Sequence, residues 1–351
     1  MRALIFIALF SLVIQAGLSQ TEANVAPGLP KDPREIFAAA APFYDFSDAS
    51  LKPWHLKASY QLYDQDGKPS GQGTYEYWWA SPKVHRSTWS RGNITRTDWH
   101  TADGQHLFHS TGERLQLFEI KLQAMLISPL PGPADLDPDK VRLEREDRSL
   151  HGVKAPCISL VSVKQGHAPN LPMNFYPIYC FDSHLPVLRF SYTFGEAATL
   201  FNGIAKFQGR FLARQLLILV GDRNLFSANV DAVEGMDAAD PHLTPDSDAL
   251  PVRDQPLEAD EKALAASSLK KQAPVYPLVA KQLHQQGTVV VCATIGTDGK
   301  VKEAQVVLAP SESLAEAARD AVLHWEYKPS RFNGRPVEVE TTINVVFSLA
   351  R

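Results

Sequence analysis

Cysteine is scarce in this chain: three in 351 residues. Cys157, Cys180 and Cys292 offer no Cys-x-x-Cys pair and no Cys/His ligand spacing, so no structural zinc or other metal site is expected. A basic excess is missing as well. Lys and Arg number 35 against 39 Asp and Glu, for a net charge of -4, and nothing resembles the field that draws a protein to nucleic acid. The chain also lacks a Gly-x-Ser-x-Gly elbow, a His-Glu-x-x-His pair, a phosphate-binding P-loop and a dinucleotide fingerprint. Gly71-Gln72-Gly73 has neither the third glycine nor the helix such a fingerprint needs. His100, His106 and His109, with Asp98 and Asp103, make the densest ligand-like cluster, but they flank a hairpin turn without a fourth ligand or an orienting acid. They read as a solvated hairpin. The expectation is a protein that binds and does not catalyse, with no cofactor.

Long apolar runs are confined to the start. After Met1-Arg2, Ala3 to Leu18 is free of charge, shorter than the roughly 20 residues that span a bilayer and of the length of a secretory h-region. Gly17 and Ser19 place small residues where a signal peptidase reads. Residues 1–19 are therefore expected to be a signal peptide cleaved after Ser19 or, if retained, a short anchor. Export suits the cysteines. Cys157 and Cys180 lie in apolar, strand-like stretches and form a disulfide if those strands are neighbours, or two buried free thiols if they are not. Cys292 stands alone, on the side of its strand opposite Val289, Val291, Ala293 and Ile295.

The length calls for two domains, and composition places their boundary near Glu234. From there to Lys262, Glu234, Asp237, Asp240, Asp246, Asp248, Asp254, Glu258, Asp260 and Glu261 face only Arg253 and Lys262, with Pro241, Pro245, Pro251 and Pro256 between them. So few large apolar residues cannot offset the entropy of ordering. Residues 234–270 read as an acidic, proline-containing linker, of which the stretch from Glu234 to Lys262, as a flexible coil, would span about 30 Å.

Residues 32–233 carry strand signals throughout. Leu56, Ala58, Tyr60 and Leu62 alternate with polar neighbours, and the pattern continues through Gly73–Ala80, Val84–Ser90 and Ile94–His100, punctuated by turns. Further strands are expected near Arg142–Arg148, Pro156–Lys164, Ile178–Phe181, Val187–Phe194 and Phe207–Val220. Helices are expected only at Pro33–Ala41 and Leu115–Leu126. This describes a predominantly antiparallel β domain, a curved sheet or half-barrel. Trp54, Trp78, Trp79, Trp89 and Trp99 fall in its first half, either filling a core with few helices or lining a site for a greasy ligand. In strand rhythm and aromatic content it resembles the half-barrels of periplasmic lipoprotein carriers.

Residues 271–351 form an α+β unit. Tyr276, Val279, Ala280 and Leu283 are spaced as a helical stripe, with Pro277 in its first turn. Thr288–Ile295 and Val301–Leu308 are strands about a tight turn at Asp298-Gly299. Ser313 and Glu316 make a capping box for a helix whose stripe ends at Trp325. Asn333-Gly334 turns into a last strand, Val337–Leu349, that alternates without a fault and would run about 44 Å. A strand that outreaches its neighbours leaves an edge for another chain.

Six signatures occur here in one order: Tyr276-Pro277, Gly287-Thr-Val-Val-Val291, Asp298-Gly299, the Ala-rich helix, Trp325-Glu-Tyr-Lys-Pro329 and Asn333-Gly-Arg-Pro-Val337. Together they resemble the C-terminal domain of the TonB energy-transducer family over roughly Lys271 to Leu349. The resemblance implies an α-β-β-α-β fold whose last strand pairs with a short segment of an outer-membrane transporter. It assigns the pairing edge to Thr341, Thr342, Ile343, Asn344, Val345, Val346 and Phe347, and the helix entry beside it to Tyr276 and Pro277. Unlike the best-known transducers, the chain has a domain of about two hundred residues where they carry a long proline-rich spacer. The expected function is that of a periplasmic envelope protein that docks an outer-membrane transporter or other envelope partner by strand addition, in TonB-dependent transport. The alternative is a periplasmic lipid or lipoprotein carrier whose C-terminal module forms homodimers.

Overall fold

The computed structural model describes residues 28–349 apart from 65, 151, 164–175, 195, 252–256, 259–266 and 333. The leader at residues 1–19 lies outside the described residues. An opening helix, α1 (Pro33–Tyr44), starts at Asp32, whose carboxylate accepts from the Arg34 N–H. Five strands follow: β1 (Trp54–Tyr63), β2 (Pro69–Ser81), β3 (Val84–Arg91), β4 (Ile94–His100) and β5 (His106–Thr111). Helix α2 (Leu117–Ile127) comes after them. The chain then adds β6 (Val141–Leu150), β7 (Val153–Ser162), β8 (Ile178–Phe181), β9 (Leu188–Phe194), β10 (Ala197–Phe207), β11 (Arg210–Val220) and β12 (Arg223–Gly235).

These strands join in one 13-stranded sheet, ordered β13-β5-β4-β3-β2-β1-β12-β11-β10-β9-β8-β7-β6, where β13 is the short Leu250–Pro251. Each neighbouring pair is antiparallel. The sheet is two meanders, β1–β5 and β6–β12, sewn together by the β1–β12 pair, and it wraps around α1 and α2. Trp54, Leu56, Ala58, Tyr60 and Leu62 of β1 are buried in the same core as Ile36, Phe37 and Ala40 of α1 and Leu122 and Leu126 of α2. Phe37 meets Tyr179 and Phe181 of β8 edge-on at 5.6 Å, and the Leu188 N–H donates to the Tyr44 hydroxyl. Burial pushes that phenol up to about 12.

Three of the tryptophans, Trp54, Trp79 and Trp89, sit within this core. Trp78 and Trp99 point to the other face, where the acidic segment covers them. A short turn of helix at Pro241–Leu243 is capped by the Asp240 carboxylate. His242 stacks on Trp78 at 5.0 Å, and its carbonyl accepts from Trp99 Nε1 and Arg86 Nη1, each at 3.3 Å. The expected free coil is therefore corrected over its first part. Glu234 and Gly235 complete β12, and Leu250–Pro251 pairs with β5 as an edge strand. Counting apolar residues overlooked what one stacked imidazole, one capped turn and two backbone pairs supply.

Cys157 and Cys180 lie directly opposite each other on β7 and β8, 4.0 Å apart at Cα, and form a disulfide in a small core with Ala155, Ile178 and Phe190.

After β14 (Leu257–Glu258) and β15 (Ser268–Lys270), the remaining chain builds a smaller layered unit. Its elements are α3 (Leu278–Gln282), β16 (Gly287–Ile295), β17 (Val301–Leu308), α4 (Glu312–Leu323), β18 (Glu326–Tyr327), β19 (Arg331–Phe332), β20 (Arg335–Pro336) and β21 (Val339–Phe347). Leu314, Ala318 and Val322 of α4 bury their stripe against Val289, Val291, Ala293 and Ile295 of β16, each larger side chain contributing roughly 1.5–3 kcal/mol. The cap of α4 is Ser311, which accepts from Leu314 N, and not the expected Ser313. Gly299 has to be glycine: its φ is +83°, and a Cβ there would lie 2.0 Å from the Tyr327 carbonyl.

The second face of this smaller sheet is not solvent. Val290 (0% exposed) and Leu308 (6%) belong to the core of the large sheet. Cys292 shares that face with Val290 and is half-buried, less buried than Val289, Val291, Ala293 and Ile295 on the opposite face. The first domain fills it.

Candidate functional site

The feature best placed to meet another chain is β21. It sits in a four-stranded sheet ordered β14-β21-β16-β17. On its inner side it pairs antiparallel with β16 through nine consecutive positions, from Ile295↔Val339 to Gly287↔Phe347. Alternation then fixes its faces. Val339, Thr341, Ile343, Val345 and Phe347 are buried, whereas Glu340 and Thr342 are half-buried and Asn344 and Val346 exposed. On its outer side, β14 pairs only with Val339 and Glu340. Among the described residues, no further strand lies along that edge.

The strand is shorter than expected, Val339–Phe347 instead of Val337–Leu349, or about 31 Å. Upstream residues are absorbed by the β19–β20 hairpin, and the Val337 N–H donates to the Ser330 carbonyl. The strand therefore matches β16 in length and does not outreach it. It forms no overhang, and in the sheet order its outer neighbour is β14.

Tyr276 and Pro277 stand at the far end of this edge. The Tyr276 ring packs edge-on against Phe347 at 5.4 Å, and its hydroxyl donates to the Gln285 carbonyl. Pro277 is the N-cap of α3, not part of its first turn. The helix is five residues long and buries only Ala280. His284, at φ +52°, turns the chain away just after it. The predicted stripe is thus broken. Val279 and Leu283 are 58% and 63% exposed, beside Val275 at 77% and Leu278 at 69%. Sequence spacing assigned two of these four to a core, while the shortness of the helix puts them at the surface. The other feature missed was β14, whose only sequence signal was the isolated Leu257 within the acidic stretch.

Charge gathers where the small sheet meets the large domain. Arg114 Nη1 lies 2.6 Å from Glu340 Oε1 and donates to Thr294 Oγ1 at 3.1 Å, and Nη2 is 3.7 Å from Glu338. Lys302 Nζ reaches Glu338 at 2.6 Å. Burial raises the Glu340 carboxyl above its ordinary range, and Arg114 pulls against that shift.

The histidine cluster divides by strand parity. His100 stacks between His85 and His106, with ring centres 4.2 and 4.1 Å away, on the same side of the sheet as Asp98. Burial first, then neighbouring imidazoles, lower His85 to about 4, and His100 falls to about 4 for the same reasons. His106 Nε2 is 3.4 Å from Asp98, close enough for an ion pair but without hydrogen-bond geometry. Asp98 titrates low: burial alone would raise it, and His106 and Arg96 outweigh that. His109 points the opposite way and meets Asp248 of the acidic segment at 3.2 Å. With Asp246 it forms a group of donor atoms within 4.8 Å of one another, on residues that are largely exposed. The expectation of one solvated cluster is replaced by a half-buried imidazole stack and a separate surface ion pair. Neither arrangement pairs a nucleophile with a base. Asp103 stays in the turn, bonded to Thr101 and Gln105.

Comparison with known proteins bears on the C-terminal unit. Protein TonB of Vibrio cholerae is 26% identical over 99 residues, 28% of this chain and 39% of its own. The chain thus spans about two fifths of the length of that curated relative. The solution structure of the TonB C-terminal domain of Pseudomonas aeruginosa is 29% identical, covering 24% of this chain and 86% of that one, with a TM-score of 0.22. A LolA superfamily protein of Nitrosomonas europaea covers 60% of this chain and 97% of its own at 8% identity and a TM-score of 0.34. A DUF1329 family protein of Desulfovibrio piger covers 59% of this chain and 95% of its own at 9% identity and a TM-score of 0.36. Residues 272–349, the stretch that carries the six signatures and folds around β21, match the family of the Gram-negative bacterial TonB protein C-terminal.

Proposed function

We propose that this chain is a cell-envelope protein whose C-terminal domain docks a partner by strand addition along β21, in transport across the outer membrane that depends on such docking. One observation carries the reading. A nine-residue strand, paired along its inner side, has two strand partners on its outer side among the described residues, in the segment that matches the TonB C-terminal family. An incoming segment would gain main-chain hydrogen bonds along β21 and apolar contacts at Val275, Leu278, Val279 and Leu283. The partner class is an outer-membrane transporter or another envelope protein with an extended segment at its periplasmic side. The large β domain, packed on the second face of the small sheet, holds the docking edge in a fixed orientation. Export, or retention by the apolar leader, would place all of this in the periplasm.

The test is site-specific photocrosslinking from Val346, which is exposed on β21, in living cells. Adducts to the N-terminal segment of an outer-membrane transporter are expected. Adducts confined to a second copy of this chain would overturn the reading in favour of pairing between protomers, as the carrier alternative requires. Its other requirement, a lipid held by the first domain, is read by native mass spectrometry of the gently purified protein.

A further inference from the structure

The docking edge already has an occupant from its own chain. Leu257 and Glu258 run parallel to β21 and pair with Val339 and Glu340. This pair is fastened on both sides. Leu250–Pro251 upstream is held against β5, and Ser268–Lys270 downstream is held against β18. A strand added to an edge needs the backbone donors and acceptors at each position it covers, so two strands cannot share Val339 and Glu340. We infer that the segment around Leu257–Glu258 is an internal competitor that a partner's strand must displace to use the full length of β21, an inference that rests on reading β21 as the docking edge.

Two arguments set its strength. A two-residue pair is too short to hold by itself, but anchors on either side keep it at an effective concentration of about millimolar. It is also poorly matched in charge. In sequence, residues 253–262 carry Asp254, Glu258, Asp260 and Glu261 against Arg253 and Lys262, and Glu258 pairs in register with Glu340, which already shares Arg114 with Glu338. The occupant is therefore weak and displaceable, a stand-in that covers the edge without locking it. If it is docked between half and nine-tenths of the time, a competing segment binds roughly two- to tenfold more weakly than it would to the bare edge.

The experiment uses the full chain and a defined probe, a fluorescent synthetic peptide of residues 252–262. In one variant these residues are replaced by a Gly/Ser stretch of equal length. In a second, Leu257→Pro is combined with Glu258→Pro. Successive N–H groups of a strand point to opposite sides, so one of these two prolines must remove a donor aimed at β21. Both variants should bind the peptide roughly two- to tenfold more tightly than the unmodified chain. Amides of β21 should exchange faster in both and slow again when peptide is added. Equal peptide affinity across the three proteins, or β21 exchange that no variant changes, overturns the inference. Since the probe is the chain's own segment, this result is separate from whether Val346 crosslinks to a transporter.

Discussion

Replacing Glu119 by leucine is expected to destabilise the large domain by about 3–5 kcal/mol, the cost of removing one member of a buried charge pair. Glu119 is 0% exposed and lies in the first turn of α2. Its carboxylate accepts from Arg91 Nε at 2.9 Å, Arg91 Nη2 at 3.1 Å, the Tyr60 hydroxyl at 2.6 Å and the Gln116 N–H at 2.7 Å. Burial, then Glu119 itself, raises the Tyr60 phenol far above its ordinary value, so it remains a donor. Leucine fills most of the volume but strands these donors, and each buried unmet group costs roughly 1–3 kcal/mol. Apolar burial of the new side chain returns part of that. Trp89 Nε1 donates to the Glu119 backbone carbonyl at 2.8 Å, so α2 should keep its place and loosen. The assay is urea unfolding of the full chain followed by tryptophan fluorescence, with Trp89 as the local reporter. Glu119→Gln, which keeps the shape and one acceptor, should fall between leucine and the native residue. Glu119→Leu combined with Arg91→Met should recover much of the loss, because both charges go together. A Glu119→Leu variant within about 1 kcal/mol of the parent would refute the clasp.

Reducing the Cys157–Cys180 bond, which closes a separation of 23 residues, should cost about 3 kcal/mol, seen as a lower urea midpoint in reductant and reproduced by the Cys157→Ser, Cys180→Ser double variant. Burial holds His85 and His100 near 4, below the 6.5 of an ordinary imidazole, so the fold binds fewer protons than the unfolded chain. Stability from them is fully present above about pH 6.5 and drains away as pH falls toward 4, His85 contributing on the order of 3 kcal/mol and the less buried His100 less. Urea midpoints at pH 7, 5.5 and 4.5 should show the decline, and replacing both histidines by phenylalanine should flatten it. Val290→Asp puts a carboxylate into the contact between the two units and should cost at least about 2 kcal/mol. It should part them while the β domain stays folded, read as a larger radius in solution scattering.

What the chain disclosed in advance depended on how local the determining interaction was. The alternation of Leu56, Ala58, Tyr60 and Leu62 and that of Val339 through Phe347 are written in adjacent residues, and both strands fold with those faces buried. β5 was passed over because His106, His109 and Ser110 hide its pattern, and what makes it a strand is its neighbour β4. Phe207–Val220 read as a single strand. Gln208 and Gly209, at φ +47° and +80°, turn it into the hairpin between β10 and β11, and glutamine gives no warning of a left-handed turn. Strand β21 was legible in its residues but not in its neighbours. Its length and its pairing with Leu257–Glu258 follow from which strands lie beside it, information that no run of residues along β21 contains.

The central claim, that β21 docks a partner through its outer edge, is tested most directly by proline at two adjacent positions, Asn344→Pro and Val345→Pro. Neighbouring N–H groups in an antiparallel strand point to opposite sides, so one proline removes a donor to β16 and the other a donor on the outer side. The account predicts a split. One variant should lower the unfolding midpoint of the C-terminal unit. The other should keep that midpoint and lose the Val346 crosslink to its partner. Two variants that both retain the crosslink at full strength would contradict strand addition along β21.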